Sequence, residues 1–309
     1  MQIIQMLTTI RHTMKHHFAD LLDREDDYWT IVPNIERYSY SADELIDDKE
    51  NAKVVTVNKD DSNWKQIFDL PNLEELTLHE PSKAQVESIK ELKNLKRFRL
   101  SHFRAKDLEF INELTYIEEL VFEYVSGFSD LSPLRNLTRL KSLHLENLRK
   151  VSNFEGLSGL PSLRYLHIDG TLDWSQPIEN FEFLKGLPKL EVFALGFVKV
   201  QKEYPAFIPI LELKNLKRIK IGIGTLETKE YAFIQVAKPT VQCGAHGKHM
   251  PWSPISDWGE SEFMPLGKGK RSFSKAHKDA KAKYTQFETD FDKFKEEAKE
   301  IIKKVVNNG

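Results

Sequence analysis

One phrase returns seven times along this chain, with apolar residues at the first, fourth, seventh and ninth places of a nine-residue unit. The copies are Leu70-Leu73-Leu76-Leu78, Leu92-Leu95-Phe98-Leu100, Leu114-Ile117-Leu120-Phe122, Leu137-Leu140-Leu143-Leu145, Leu160-Leu163-Leu166-Ile168, Leu187-Leu190-Phe193-Leu195 and Leu213-Leu216-Ile219-Ile221. A degenerate eighth sits at Val55 and Val57. The final apolar positions at 57, 78, 100, 122, 145, 168, 195 and 221 are separated by 21, 22, 22, 23, 23, 27 and 26 residues. Within each unit the last two apolar places are two residues apart, the spacing of one face of a strand. One such strand cannot bury its apolar side alone. Stacked at roughly 4.8 Å per strand, the units make a parallel sheet with a continuous interior.

The period falls in the range known for leucine-rich repeats, so the expected class is an α/β leucine-rich-repeat solenoid with a curved parallel sheet, about eight repeats and helical caps. Phrases such as Leu92-Lys93-Asn94-Leu95-Lys96 and Leu131-Ser132-Pro133-Leu134 resemble the short repeats of internalin-type and cytosolic bacterial leucine-rich-repeat proteins. That resemblance covers roughly residues 54–222. It departs from the pattern where such repeats carry asparagine. The place three residues after the strand holds Pro81, Phe103, Val125, Leu148, Thr171, Val198 and Gly224, so hydrophobic stacking must replace an asparagine ladder.

Three segments are expected: an amino-terminal cap over 1–53, the solenoid over 54–237 and a carboxyl-terminal cap over 238–309. In the first, Ile3, Leu7, Ile10, Met14, Phe18 and Leu21 recur at helical spacing. In the last, Ala280, Tyr284, Phe287, Phe291, Phe294, Ala298, Ile301 and Val305 form an unbroken heptad stripe. Such a stripe suits docking on the solenoid's open end, with self-association as its other use. Between the solenoid and this stripe, Lys238 to Phe273, with Met250-Pro251-Trp252, Asp257-Trp258-Gly259 and Gly267-Lys268-Gly269-Lys270-Arg271, is too apolar for a free linker. With Glu230-Tyr231-Ala232 they resemble the tails of other bacterial repeat proteins, which implies a specialised cap and no activity.

A net charge of −2 gives no global attraction to nucleic acid, although Gly267 to Gly309 carries twelve basic and seven acidic residues. The single cysteine, Cys243, excludes an intramolecular disulfide and fits a reducing compartment. The opening residues lack the basic start of a signal peptide, and no apolar run reaches the roughly 20 residues of a membrane span. A cytoplasmic location without membrane contact is therefore expected.

Strand neighbours of the apolar places point outward and should align in three columns. The first is Glu75, Arg97, Glu119, Ser142, Tyr165, Val192 and Arg218. The second is Thr77, Arg99, Val121, His144, His167, Ala194 and Lys220. The third is His79, Ser101, Glu123, Glu146, Asp169, Gly196 and Gly222. This acidic centre with basic flanks suits a charge-patterned protein partner, and Tyr165, Arg97 and Arg99 are candidate anchors.

His144, Glu146, His167 and Asp169, with Glu123 beyond them, could in principle reach one ion, but an open sheet shields little from water. No metal, cofactor or catalytic residue is expected. The histidines His12, His16 and His17 lack the acid of a hydrolase motif, and Gly244-Ala245-His246-Gly247-Lys248 is too short for a phosphate loop. Lys268, Lys270 and Arg271 make the alternative site, for an anion or small ligand, because adjacent glycines let backbone amides approach a phosphate. The two long steps, Asp169 to Glu182 and Gly196 to Leu211, carry Trp174, Phe197 and Tyr204. These insertions are expected to serve the binding face or to widen the convex layer.

Overall fold

In the computed structural model, which describes residues 14–16, 21–25, 28–32, 38–243, 249–250 and 262–308, each repeat spends its nine-residue phrase on one strand and the turn leading into it. The strands are β1 (Met14–His16), β2 (Leu21–Glu25), β3 (Tyr28–Val32), β4 (Tyr38–Ser41), β5 (Val54–Asn58) and β6 (Glu75–His79). Next come β7 (Arg97–Arg104), β8 (Glu119–Ser126), β9 (Ser142–Glu146), β10 (Tyr165–Asp169), β11 (Gln176–Ile178) and β12 (Val192–Gly196). The series ends with β13 (Val198–Val200), β14 (Arg218–Ile221), β15 (Gln242–Cys243), β16 (His249–Met250), β17 (Glu262–Pro265) and β18 (Phe273–Ser274). The α-helices are α1 (Lys83–Ser88), α2 (Thr228–Ala237) and α3 (Ala280–Asn308).

The main sheet has eleven strands in the order β1-β4-β5-β6-β7-β8-β9-β10-β12-β14-β15. All pair in parallel except β1, which runs antiparallel to β4. All eight expected strands are present, and the sheet continues past them through β4 at one end and β15 at the other. Leu76, Leu78, Leu100, Phe122, Leu143, Leu145, Leu166 and Ile168 project to the inner side and are fully buried. Opposite the sheet the chain returns through short 3-10 turns. Asp107, Asp130, Asn153 and Asn180 each accept the amide two residues on, at 2.8–3.2 Å, where such a turn begins.

The strand-to-turn corner explains how the repeats manage without asparagine. Glu80, His102, Tyr124, Asn147 and Phe197 hold left-handed φ values of 40–55°. Each directly precedes a place where asparagine was expected. The left-handed residue reverses the chain and turns the next side chain inward, so Val125, Leu148 and Val198 are buried as a stack. For non-glycine residues this conformation costs roughly 1–2 kcal/mol each, offset by the apolar burial that follows.

The amino-terminal helix expected from spacing is corrected by the structure. Met14 lies in β1 and Leu21 opens β2, while Ile3, Leu7, Ile10 and Phe18 lie outside the described residues. A parallel sheet leaves a row of unpaired amides and carbonyls on its edge strand, and β1 takes them up. The hairpin partner β3, Tyr-Trp-Thr-Ile-Val, is rich in aromatic and β-branched residues that favour a strand. His16 is also in β1, while His12, His17, the 244–248 loop and the tryptophans 252 and 258 lie outside the described residues.

At the other end α3 packs along α2, with Phe291 and Ala298 fully buried and Phe287, Phe294 and Ile301 half-buried against the core. Phe263 of β17 packs edge-on against Tyr284 and Phe287 at 4.7 and 5.9 Å. The stripe that self-association would use is thus largely covered within the chain. The two insertions pair with each other: β11 and β13 form a small parallel sheet, Gln176 opposite Val198. No helix of the described residues is long and apolar enough to cross a membrane.

Candidate functional site

The register of the sheet sets Glu75, Arg97, Glu119, Ser142, Tyr165, Val192 and Arg218 side by side. Thr77, Arg99, Val121, His144, His167, Ala194 and Lys220 form the second column, and His79, Ser101, Glu123, Glu146, Asp169 and Gly196 the third. Gly222 falls just past the end of β14. The geometry therefore brings the predicted outward residues onto one face.

Their exposure divides them. Glu75, Glu119 and Tyr165 are only 5%, 9% and 4% exposed, so they line the face as walls. Arg97 pairs with Glu119 at 2.7 Å, and Arg99 forks across Glu123 at 2.7–3.1 Å. Burial alone would lower the Arg97 pKa, but its bond to Glu119 and the nearby charge of Glu75 hold it above the usual value. These cross-strand pairs fix both charges in place, the arrangement in which arginine's planar fork is most specific.

Beyond them the His144 and His167 rings stack at 4.4 Å and 16°. His167 Nε2 lies 3.3 Å from Asp169 Oδ2, and His144 Nε2 lies 3.9 Å from Glu146 Oε2. Asp169 sits directly over Gly196, where an added Cβ would come within 2.5 Å of the carboxylate. Burial first, then the charges of Glu123 and Asp169, raise the Glu146 carboxyl above its ordinary range. Next to this acidic centre the small Ala194 opens a hollow of about 460 Å³, walled by Tyr165 and His167 on one side and Arg218 and Lys220 on the other. Among the described residues no group of three or more His, Cys, Asp or Glu side chains is arranged to hold a metal ion.

Burial, then the neighbouring His167 and Arg99, push the His144 pKa down to about 3. The ring is neutral in the folded protein at pH 5, whereas in the unfolded chain it takes up a proton below the ordinary histidine value of 6.5. This stabilising contribution is complete above that value and is lost as pH falls towards 3. Between pH 7 and 5 the loss reaches at most about 2 kcal/mol. Urea unfolding at the two pH values measures it, and His144→Gln removes that part of the slope; an unchanged slope would refute the assignment.

Of the aromatic residues on the rim, sequence reasoning named His79 and Phe197 but missed His102 and Tyr124. His79, His102 and Tyr124 form an aromatic row, His102 edge-on to His79 at 5.4 Å and stacked on Tyr124 at 4.7 Å and 6°. Tyr124 and Phe197 are 39% and 48% exposed. The signal was a fourth column, one residue beyond the third, where large side chains stand in a conformation that favours glycine or asparagine. Of the insertion aromatics, Trp174 lies under Arg149 at 5.1 Å and Tyr204 packs edge-on against Phe233. They therefore belong to the packing of the side layer.

The basic element of the carboxyl-terminal cap is used differently from the expected phosphate cradle. Gly267 and Lys268 amides donate to Ile223 and Leu226 carbonyls at 2.9 and 2.7 Å, so they are engaged within the chain. Gly267, at φ +139°, lies so close to Thr228 Oγ1 that a Cβ would meet it at 2.1 Å. Lys268, Lys270 and Arg271 are exposed around this docked turn.

No family model and no curated protein sequence matches the chain. Among solved structures it is similar to internalin C2 of Listeria monocytogenes, at 24% identity over 60% of this chain and 71% of that one, TM-score 0.40. Internalin F of the same organism is 18% identical over 63% of this chain and 60% of its own, TM-score 0.43. A leucine-rich-repeat protein of Leptospira interrogans is 16% identical over 62% of this chain and 60% of its own, TM-score 0.35. The repeat period and the one-strand-per-repeat parallel sheet of this chain are by themselves those of a leucine-rich-repeat solenoid.

Proposed function

We propose that the chain is a non-catalytic, cytosolic protein-interaction module that holds a protein partner against the outward, concave face of its sheet. The observation that carries this reading is the fixed charge order across adjacent strands. The ion-paired arginines of β7 come first, the carboxylates Glu123, Glu146 and Asp169 next, and the basic wall of Arg218 and Lys220 last. A rigid pattern of this kind guides encounter and register, and the hollow beside Ala194 offers a socket for one partner side chain. Neither membrane nor nucleic acid is part of this reading.

The test is affinity capture from the native cell, followed by titration of the captured protein. The double exchange Arg99→Glu with Glu123→Arg keeps an ion pair across β7 and β8 while inverting the local field. Its effect on folding stability should stay within about 1 kcal/mol. Partner affinity should fall about tenfold, equivalent to about 1.4 kcal/mol. Undiminished capture by the exchanged variant would overturn the assignment of the face.

A further inference from the structure

Outward residues of the main sheet are buried where a bare face would leave them open. β6 and β12 are buried at four consecutive positions, Glu75 to Leu78 and Val192 to Leu195, whereas a sheet with one solvated face alternates. β5 and β14, on either side of this span, do alternate. Ser142 and Tyr165 lie between β6 and β12 and are buried as well, although both project from the outer side. Neighbouring strands stand level with these side chains and cannot roof them. A cover across the face from β6 to β12 accounts for the pattern.

The amino-terminal hairpin supplies it. β3 packs against β12. Both edges of β12 are taken by β10 and β14, and Phe193 and Leu195 fill its inner side, so β3 approaches from the outer face. Seven strand spacings separate β4 from β12, roughly 34 Å along the sheet. The six-residue step from Val32 to Tyr38 of β4 spans roughly 20 Å at full extension. β3 therefore meets β12 with its Tyr28 end, and the hairpin runs lengthwise over the strands between.

This cover is built to come away. β2 and β3 form a two-stranded sheet of their own, and among the described residues no strand ladder ties it to the main sheet. A lone hairpin is marginally stable in water, so it stays in place only while the face receives it. Its chemistry also matches the seat. The turn Glu25-Asp26-Asp27-Tyr28 is acidic, and the tether sets this end at β12, beside the Arg218 and Lys220 of β14.

We propose that the hairpin is a strap in the partner's place: the protein partner displaces it and lays an acidic, aromatic extended segment of its own across the same strands. This rests on the reading of the concave face as the partner's seat. The strap then sets a threshold for binding, because the face is open only in the fraction of molecules that have released it.

Hydroxyl-radical labelling of Tyr165 in the full chain reads the strap without any partner. Thr30→Pro, opposite Asp23, breaks the hairpin ladder. Asp26→Lys with Asp27→Lys reverses the charge of the turn. In both variants Tyr165 labelling should rise severalfold, and the captured partner should bind about tenfold more tightly once the strap no longer competes. Where the two variants differ, Thr30→Pro decides, because it acts on the hairpin itself. Unchanged Tyr165 labelling overturns the strap and leaves the concave-face reading standing. Raised labelling with unchanged affinity overturns displacement and that reading together. Raised labelling with weaker binding makes the hairpin part of the partner's seat and likewise overturns the proposal.

Discussion

Leu166→Ala is expected to destabilise the protein by roughly 2–5 kcal/mol, measured as a lowered denaturant midpoint at unchanged m-value. Leu166 is fully buried and sits in register between Leu143 of β9 and Phe193 of β12. Truncating it opens a void facing both neighbouring repeats, and the flanking strands are held by their own ladders and cannot collapse into it. Each repeat of a solenoid is stabilised largely through its two neighbours. The defect therefore weakens two interfaces, and a loss below about 1 kcal/mol would mean that the apolar stack is not what holds the repeats together.

Gln176→Leu is expected to cost about 2–4 kcal/mol, again read from equilibrium unfolding. Gln176 is fully buried, a rare place for an amide, and every part of its side chain is engaged. Its Oε1 accepts the Leu148 amide at 2.9 Å, and its Nε2 donates to the Val151 carbonyl at 2.6 Å. These are the backbone groups that the corner after β9 leaves unpaired. Leucine fills the same space but orphans both, so the loss comes from hydrogen bonding alone. Intact stability in Gln176→Leu would show that the corner can satisfy its backbone without the insertion.

The contrast between these two residues shows what a sequence of this kind makes legible. Leu166 announces itself by recurrence, because strand alternation and a fixed repeat length together determine both its burial and its neighbours in the sheet. The same logic placed Arg99 beside Val121, His144 beside His167 and Glu123 beside Glu146, since a register once set carries every outward residue with it.

Gln176 gives no such signal, as its partners lie 25 and 28 residues away in a corner whose shape is particular to one repeat. The rim aromatics were hidden for a related reason. Tyr124 and His102 read as the residues after a strand, and only their left-handed φ values reveal a turn that displays them. At the amino terminus, a periodicity at Met14 and Leu21 that suits a helix yielded to the open edge of a sheet, a demand set by tertiary context. The glycine-lysine turn likewise reads as an anion cradle until its amides are found bonded to Ile223 and Leu226.

The claim that a protein partner lies on the concave face is tested most directly by hydroxyl-radical footprinting of the complex formed with the captured protein. Labelling is expected to fall at His102, His167 and Tyr124, and to stay unchanged at Tyr116 and Leu172, which are exposed outside the three columns. Protection of Tyr116 or Leu172 with full labelling of the two histidines would contradict it.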